Sequence, residues 1–149
     1  MRAVVQRVAS ASVEVDGSVV GAIERGFLAL IGVARDDTDD DAAAIASKIA
    51  GLRIFNDDAG DMNLGLREVD GSVLAVSQFT LYGDARKGRR PSFIEAAPGD
   101  IAQPVFERVV ALLRREGLTV QTGLFGAQMR VSLMNEGPVT ILLDSRKLF

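Results

Sequence analysis

Seven residues from Phe27 to Val33, Phe-Leu-Ala-Leu-Ile-Gly-Val, run without a single polar side chain. A strand that is apolar at every position has no face to offer water, so both faces must be covered. The segment therefore belongs inside a layered domain. Upstream, Val4, Gln6 and Val8 alternate with Val5, Arg7 and Ala9, the period of a half-buried strand. Val13 and Val15 lead into Asp16-Gly17, a strong hairpin signal, and Val19–Ile23 returns before a break at Arg25-Gly26.

Downstream, the acidic run Asp36-Asp37-Thr38-Asp39-Asp40-Asp41 precedes Ala42–Leu52. There Ala42, Ile45, Ala46, Ile49 and Leu52 recur at helical spacing. Acids at that place cap a helix and complement its dipole. A calcium loop of the EF-hand type would need glycine at its sixth position and glutamate at its twelfth. Counted from Asp36 these are Asp41 and Ser47, so that reading fails. Arg53–Phe55 reads as a short strand, Asn56–Asp61 as a turn and Val73–Phe79 as an apolar strand with polar residues at its end. Gly83–Pro91 is a loop. Pro98 opens a helix to about Glu116, with Val105, Val109, Leu112 and Leu113 on its apolar face and Gly117 as its stop; Pro104 blurs where it starts. Val120, Met129–Met134 and Val139–Leu143 close the chain as strands.

This order predicts one α/β domain over residues 1–149, with mixed sheets in layers and two helices on one face. Two helices cannot cover so many strands on both sides. A second sheet layer or a partner subunit must cover the rest.

Composition narrows the chemistry. The chain contains no histidine and no cysteine. That excludes Ser-His-Asp and Cys-His nucleophile systems, a Cys/His zinc site, a disulfide framework and any histidine general base. An enzyme built from this chain must use carboxylates, hydroxyls, Lys or Arg, backbone atoms or the substrate itself. Lys and Arg number 17 against 20 Asp and Glu, a net charge of −3, so any contact with nucleic acid is a local basic patch. No apolar run approaches the roughly 20 residues of a bilayer span, and the alternating N-terminus lacks a signal peptide's apolar stretch. The expected location is cytoplasmic, with no membrane partner.

Three segments could carry chemistry. Ser77-Gln78-Phe79-Thr80-Leu81 closes an apolar strand, where polar groups either line a pocket or satisfy local backbone. It is not a nucleophile elbow, since no glycines flank Ser77. Asn135-Glu136-Gly137-Pro138-Val139-Thr140 has the composition of a hairpin turn between two strands. Arg86, Lys87, Arg89 and Arg90 form either a solvated loop or a phosphate-binding cluster.

Taken together, Ser77–Leu81 (SQFTL), Asn135–Thr140 (NEGPVT) and the opening Val4-Val5-Gln6-Arg7-Val8 resemble the D-aminoacyl-tRNA deacylases, of D-tyrosyl-tRNA deacylase type. Arg89–Phe93 and Thr122–Met129 are also similar to that family, and the motifs fall in the same order over nearly the whole chain. Asp61 departs from it, standing where the family has lysine, and the C-terminal Asp144–Phe149 (DSRKLF) is assigned no role.

The resemblance implies a homodimeric hydrolase acting on the ester between a D-amino acid and the 3′-terminal adenosine of tRNA. It needs no cofactor and no metal. The family's Gly-Pro motif is cis and acts in the partner's site. It falls on Gly137 and Pro138, with the receiving pocket on Ser77, Gln78, Phe79, Thr80 and Met129. Arg7 resembles the arginine that holds the motif across the interface. Arg86, Lys87, Arg89 and Arg90 would hold tRNA. An aminoacyl ester is already activated, so positioning and oxyanion stabilisation supply much of the rate. Backbone N–H groups near Phe79 and Thr80 would face the oxyanion while the ribose 2′-hydroxyl orients or activates water. Thr80 as covalent nucleophile is the rival mechanism. Rejection of L-aminoacyl esters would leave glycyl-tRNA as a further substrate. A non-catalytic dimeric RNA-binding module and an editing domain acting on L-amino acids are the competing functions.

Overall fold

A computed structural model describes residues 1–149. Its spine is β1 (Arg2–Val15), which pairs along both edges. On one edge β2 (Ser18–Ile23) and β3 (Gly26–Gly32) lie nearly end to end, both antiparallel to it. The hairpin between β1 and β2 turns on Asp16 (φ 49°) and Gly17 (φ 80°), the left-handed pair that a two-residue type I′ turn requires. On the other edge runs β8 (Arg130–Asp144), antiparallel over the same length. From β3 the sheet continues in parallel through β6 (Ser72–Ser77) to β7 (Val120–Thr122). The short β4 (Phe55–Asn56) and β5 (Met62–Leu64) form a separate two-stranded ribbon.

Helices α1 (Asp39–Gly51) and α2 (Gly99–Arg115) pack together on one face of the sheet. Beneath them Phe27, Ala29 and Ile31 of β3 join a core of 26 buried residues. Leu28 points the opposite way, into a second cluster with Val8, Ala11, Val13, Ile23, Leu74 and Val76. The apolar run is thus buried on both sides, as expected. Its second cover is the chain's own β1–β2 ribbon, which folds back over β6 and β7. The approach is so close that a Cβ on Gly21 would lie 2.3 Å from the Thr122 carbonyl oxygen.

The acidic run does what helix capping predicts. Thr38 is the N-cap of α1 and forms a reciprocal capping box with Asp41. In α2, Pro104 is the sixth helical residue. Its missing N–H forfeits one bond to the exposed start of the helix, and the helix continues.

Two expectations need correction. The apolar strand ends at Ser77, because Phe79–Tyr82 winds into a 3-10 turn. Asn135–Thr140 is not a hairpin turn. It lies within the single strand β8 as a wide bulge, where Arg7 alone faces Glu136, Gly137, Pro138 and Val139. The C-terminal DSR also finds a place. Asp144 pairs with Arg2, Ser145 bonds Met1 and Asp41, and Arg146 pairs with Asp36 and Asp37.

Candidate active site

The parallel strands β3 and β6 end side by side, and beyond their carboxyl ends the sheet opens into a cavity of about 520 Å³. Open parallel sheets bind ligands at this end. Ile31 near the end of β3 and Val33 just after it line one side, while Val76 and Ser77 end β6 and Gln78 and Phe79 follow it. Gly99 and Ala102, from the first turn of α2, form another side. The segment Phe125–Met129 completes the wall.

Local hydrogen bonding explains the turn at Gln78. Its N–H donates to the Ile31 carbonyl (2.7 Å), a last bond from the β6 side to β3. The chain then tightens: Leu81 N–H donates to Gln78 O and Gly83 N–H to Thr80 O. The turn's bonds begin at Leu81, so the N–H groups of Phe79 and Thr80 lie outside them, as the first donors of any helical turn do. The Gln78 side-chain amide donates to Thr80 Oγ1. Phe79 is 57% exposed and meets Phe93 edge to face, with ring centroids 5.2 Å apart.

No residue of the cavity wall is ionisable. The wall consists of aliphatic, aromatic, glycine and methionine residues, with Ser77, Gln78 and Gln128 as the polar side chains. Such a wall orients a ligand and excludes water, but it supplies no acid, base or charged nucleophile.

The structure brings Ser77, Gln78, Phe79 and Met129 together. Thr80 stands exposed beside the wall, tied to it through Gln78. Gly137 and Pro138 are exposed, joined by a cis peptide, and form no part of the cavity of their own chain. Arg7 holds their bulge within one chain: Nε donates to Glu136 O (2.7 Å), and NH1 donates to Ile54 O (2.7 Å) and Asn56 Oδ1 (2.9 Å).

The basic loop is closed by Asp84 and Ser92, whose backbones exchange two hydrogen bonds (2.8 and 2.9 Å). Arg86 is spent on Asp84 at 2.7 Å, and its hydrogen bonds pull the Asp84 carboxyl down to about 2. Lys87, Arg89 and Arg90 are exposed and form no ion pair. The sequence reading missed Phe125, Gly126, Ala127 and Gln128. The loop-like spacing of Gly123 and Gly126 was the available signal. Asn135, which the sequence placed only in a turn, bonds across the base of the bulge.

Residues 4–144 match the family model described as D-Tyr-tRNA(Tyr) deacylase. The chain belongs to this deacylase family. A D-aminoacyl-tRNA deacylase from Anaeromyxobacter dehalogenans is 62% identical over 149 residues, covering all of both chains. Another from Thermotoga petrophila is 59% identical with the same full coverage. Among solved structures, the c-Myc DNA unwinding element binding protein is 39% identical, with a TM-score of 0.89 over 97% of this chain and 98% of that one. Deacylases are hydrolases, and that is the reaction class to which the chain belongs. No helix of the chain is long and apolar enough to cross a membrane.

Proposed function

We propose that the chain performs its family's reaction, hydrolysis of the ester between a D-amino acid and the 3′-terminal adenosine of tRNA, using backbone and substrate groups for the chemistry. The observation that carries this reading is the cavity wall without an ionisable residue. Water attacks the ester carbonyl carbon, oriented by the ribose 2′-hydroxyl. The tetrahedral oxyanion is met by the N–H groups of Phe79 and Thr80. A single donor of this kind is worth about 10²–10³ in rate. The carbon–oxygen bond to the ribose then breaks, and the 3′-oxygen takes up a proton. Thr80 is poorly equipped to be a nucleophile, because the group bonded to its hydroxyl is the Gln78 amide, which is no base.

A second copy of the chain completes the site. Gly137 and Pro138 are exposed and away from their own cavity, so they are free to enter another. Strand β8 carries them on an open edge beside Leu133, Met134 (63% exposed) and Leu142, apolar surface suited to a homodimer interface. Neither residue has a side chain able to recognise a substrate by hydrogen bonding. Their backbone atoms occupy the space into which an L side chain projects, so selection is rejection of L. Lys87, Arg89 and Arg90 meet tRNA phosphates, with Arg86 partly committed to Asp84. A tRNA substrate puts the reaction in the cytoplasm.

The test is deacylation of D-aminoacyl-, L-alanyl- and glycyl-tRNA side by side. D-aminoacyl- and glycyl-tRNA are expected to be cleaved and L-alanyl-tRNA left intact. Intact glycyl-tRNA beside cleaved D-aminoacyl-tRNA means positive recognition of the D side chain. Cleavage of L-alanyl-tRNA means an editing domain, and tRNA binding without cleavage of any ester means a binding module.

A further inference from the structure

The bulge in β8 leaves an antiparallel ladder interrupted between Val8↔Asn135 and Gln6↔Thr140. Four residues on one strand face one on the other, so the backbone alone cannot satisfy every N–H and C=O in the gap. One side chain fills that role. Asn135 Nδ2 donates to Arg7 O (2.9 Å) and to Val139 O (3.0 Å), while Val139 N–H donates to Asn135 Oδ1 (3.3 Å). Two carbonyl oxygens at one end of the amide and an N–H at the other fix which way it points. The Asn135 amide thus stands in for a peptide unit of the missing ladder. It joins the residue before the bulge to Val139, the last residue of the bulge, and to Arg7 across from it. Arg7 meanwhile uses its guanidinium on Glu136 O, so both rims of the bulge converge on Arg7.

We infer that Asn135 is a positioning residue, whose amide sets how far and in which direction the Gly137–Pro138 backbone projects from β8. This inference rests on the reading of Gly137 and Pro138 as the element that rejects L substrates. Aspartate matches asparagine in size but brings only acceptors. In Asn135→Asp the carboxylate would face the Arg7 and Val139 carbonyl oxygens with no proton between them. Asn135→Asp thus loses the two bonds the amide donates but keeps an acceptor for the Val139 N–H, Asn135→Ala loses all three, and in both β8 keeps its ladder on either side of the bulge.

The experiment compares wild type, Asn135→Asp, Asn135→Ala and Gly137→Ala in single-turnover deacylation of D-aminoacyl- and L-aminoacyl-tRNA, with amide exchange at Val139 followed alongside. Misplacement of a reacting geometry by about 1 Å costs on the order of 10²-fold. Both Asn135 variants are therefore expected to lower the ratio of D to L cleavage by at least about tenfold. The KM for D-aminoacyl-tRNA should be nearly unchanged in both, and Val139 exchange should be faster in Asn135→Ala, which alone lacks an acceptor for that N–H. Asn135 variants with wild-type discrimination beside an altered Gly137→Ala overturn this inference alone. So does a loss of rate that is equal for D and L substrates, which marks a scaffold role. A Gly137→Ala chain with wild-type discrimination refutes the reading of the motif itself, and this inference falls with it.

Discussion

The ammonium nitrogen of Met1 lies 2.7 Å from Asp37 Oδ1, and neither side chain is exposed to solvent. The same carboxylate accepts the Ala34 N–H at 2.6 Å and Arg146 at 3.2 Å, while Ser145 Oγ takes a second proton of the amine at 2.7 Å. Removing one member of a buried pair strands the other charge, at a cost of about 3–5 kcal/mol. Asp37→Asn is therefore expected to lower the unfolding free energy by about 3 kcal/mol, a fall of roughly 6–12 °C in Tm for a domain of this size. Denaturant titration reads this as a lower midpoint at unchanged slope. A loss below about 1 kcal/mol would show the pair to be nearly neutral.

Asp41 ties this corner to pH. Burial pushes its carboxyl upward, but hydrogen bonds from Ser145 and Thr38 outweigh that and hold it below the usual range. A depressed carboxylate contributes stability above its unfolded pKa and loses it as pH falls through the folded one. Stability should hold steady near neutrality and fall below about pH 4, where unfolded aspartate takes up its proton. The difference between wild type and Asp41→Asn should shrink over the same range. A difference that stays constant from pH 7 to pH 3 would remove Asp41 from the account.

Thr80→Ala should keep substantial deacylase activity, since the chemistry is assigned to backbone donors and the substrate hydroxyl. A loss near the roughly 10⁶-fold of a nucleophile knockout would make Thr80 covalent. A tRNA ending in 2′-deoxyadenosine, linked through its 3′-oxygen, should react far more slowly than the natural substrate. An unchanged rate would remove the 2′-hydroxyl from the mechanism.

Replacing Lys87, Arg89 and Arg90 together by alanine should raise KM more than it lowers kcat. Each lost phosphate contact should flatten the dependence of log affinity on log salt by about 0.7–0.9. Arg86→Ala should do less, because that guanidinium already spends its hydrogen bonds on Asp84. An unchanged salt slope in the triple variant would return the loop to ordinary solvated surface.

What could be read in the sequence was what neighbours along the chain decide. The apolar run Phe27–Val33 announced a strand covered on both faces, and the acidic run before Ala42 and Gly117 set helix ends to within a few residues. Asn135–Thr140 misled because a bulge and a hairpin turn use the same residue types. Only the opposing Arg7, 128 residues away, distinguishes them. The cavity was half legible: the end of β6 carries its own polar signature, whereas Gly99, Ala102 and Phe125 reach the wall only through the packing of α2 and the loop after β7. Asp144, Ser145 and Arg146 were silent for the same reason, since their partners are Arg2, Met1, Asp36, Asp37 and Asp41.

The double pairing of β1 has a consequence for the order in which the molecule assembles. β2 and β3 follow it closely along the chain and can zip onto one edge at once. The other edge waits for β8, whose first residue, Arg130, comes long after Val15. At about 5–20 residues per second of synthesis, that edge stays open for on the order of ten seconds. Such long-range pairing folds slowly, and an unpaired strand edge recruits other chains. Newly made copies should be most prone to aggregate just before β8 emerges, and β8 should be the last element to acquire protection from hydrogen exchange.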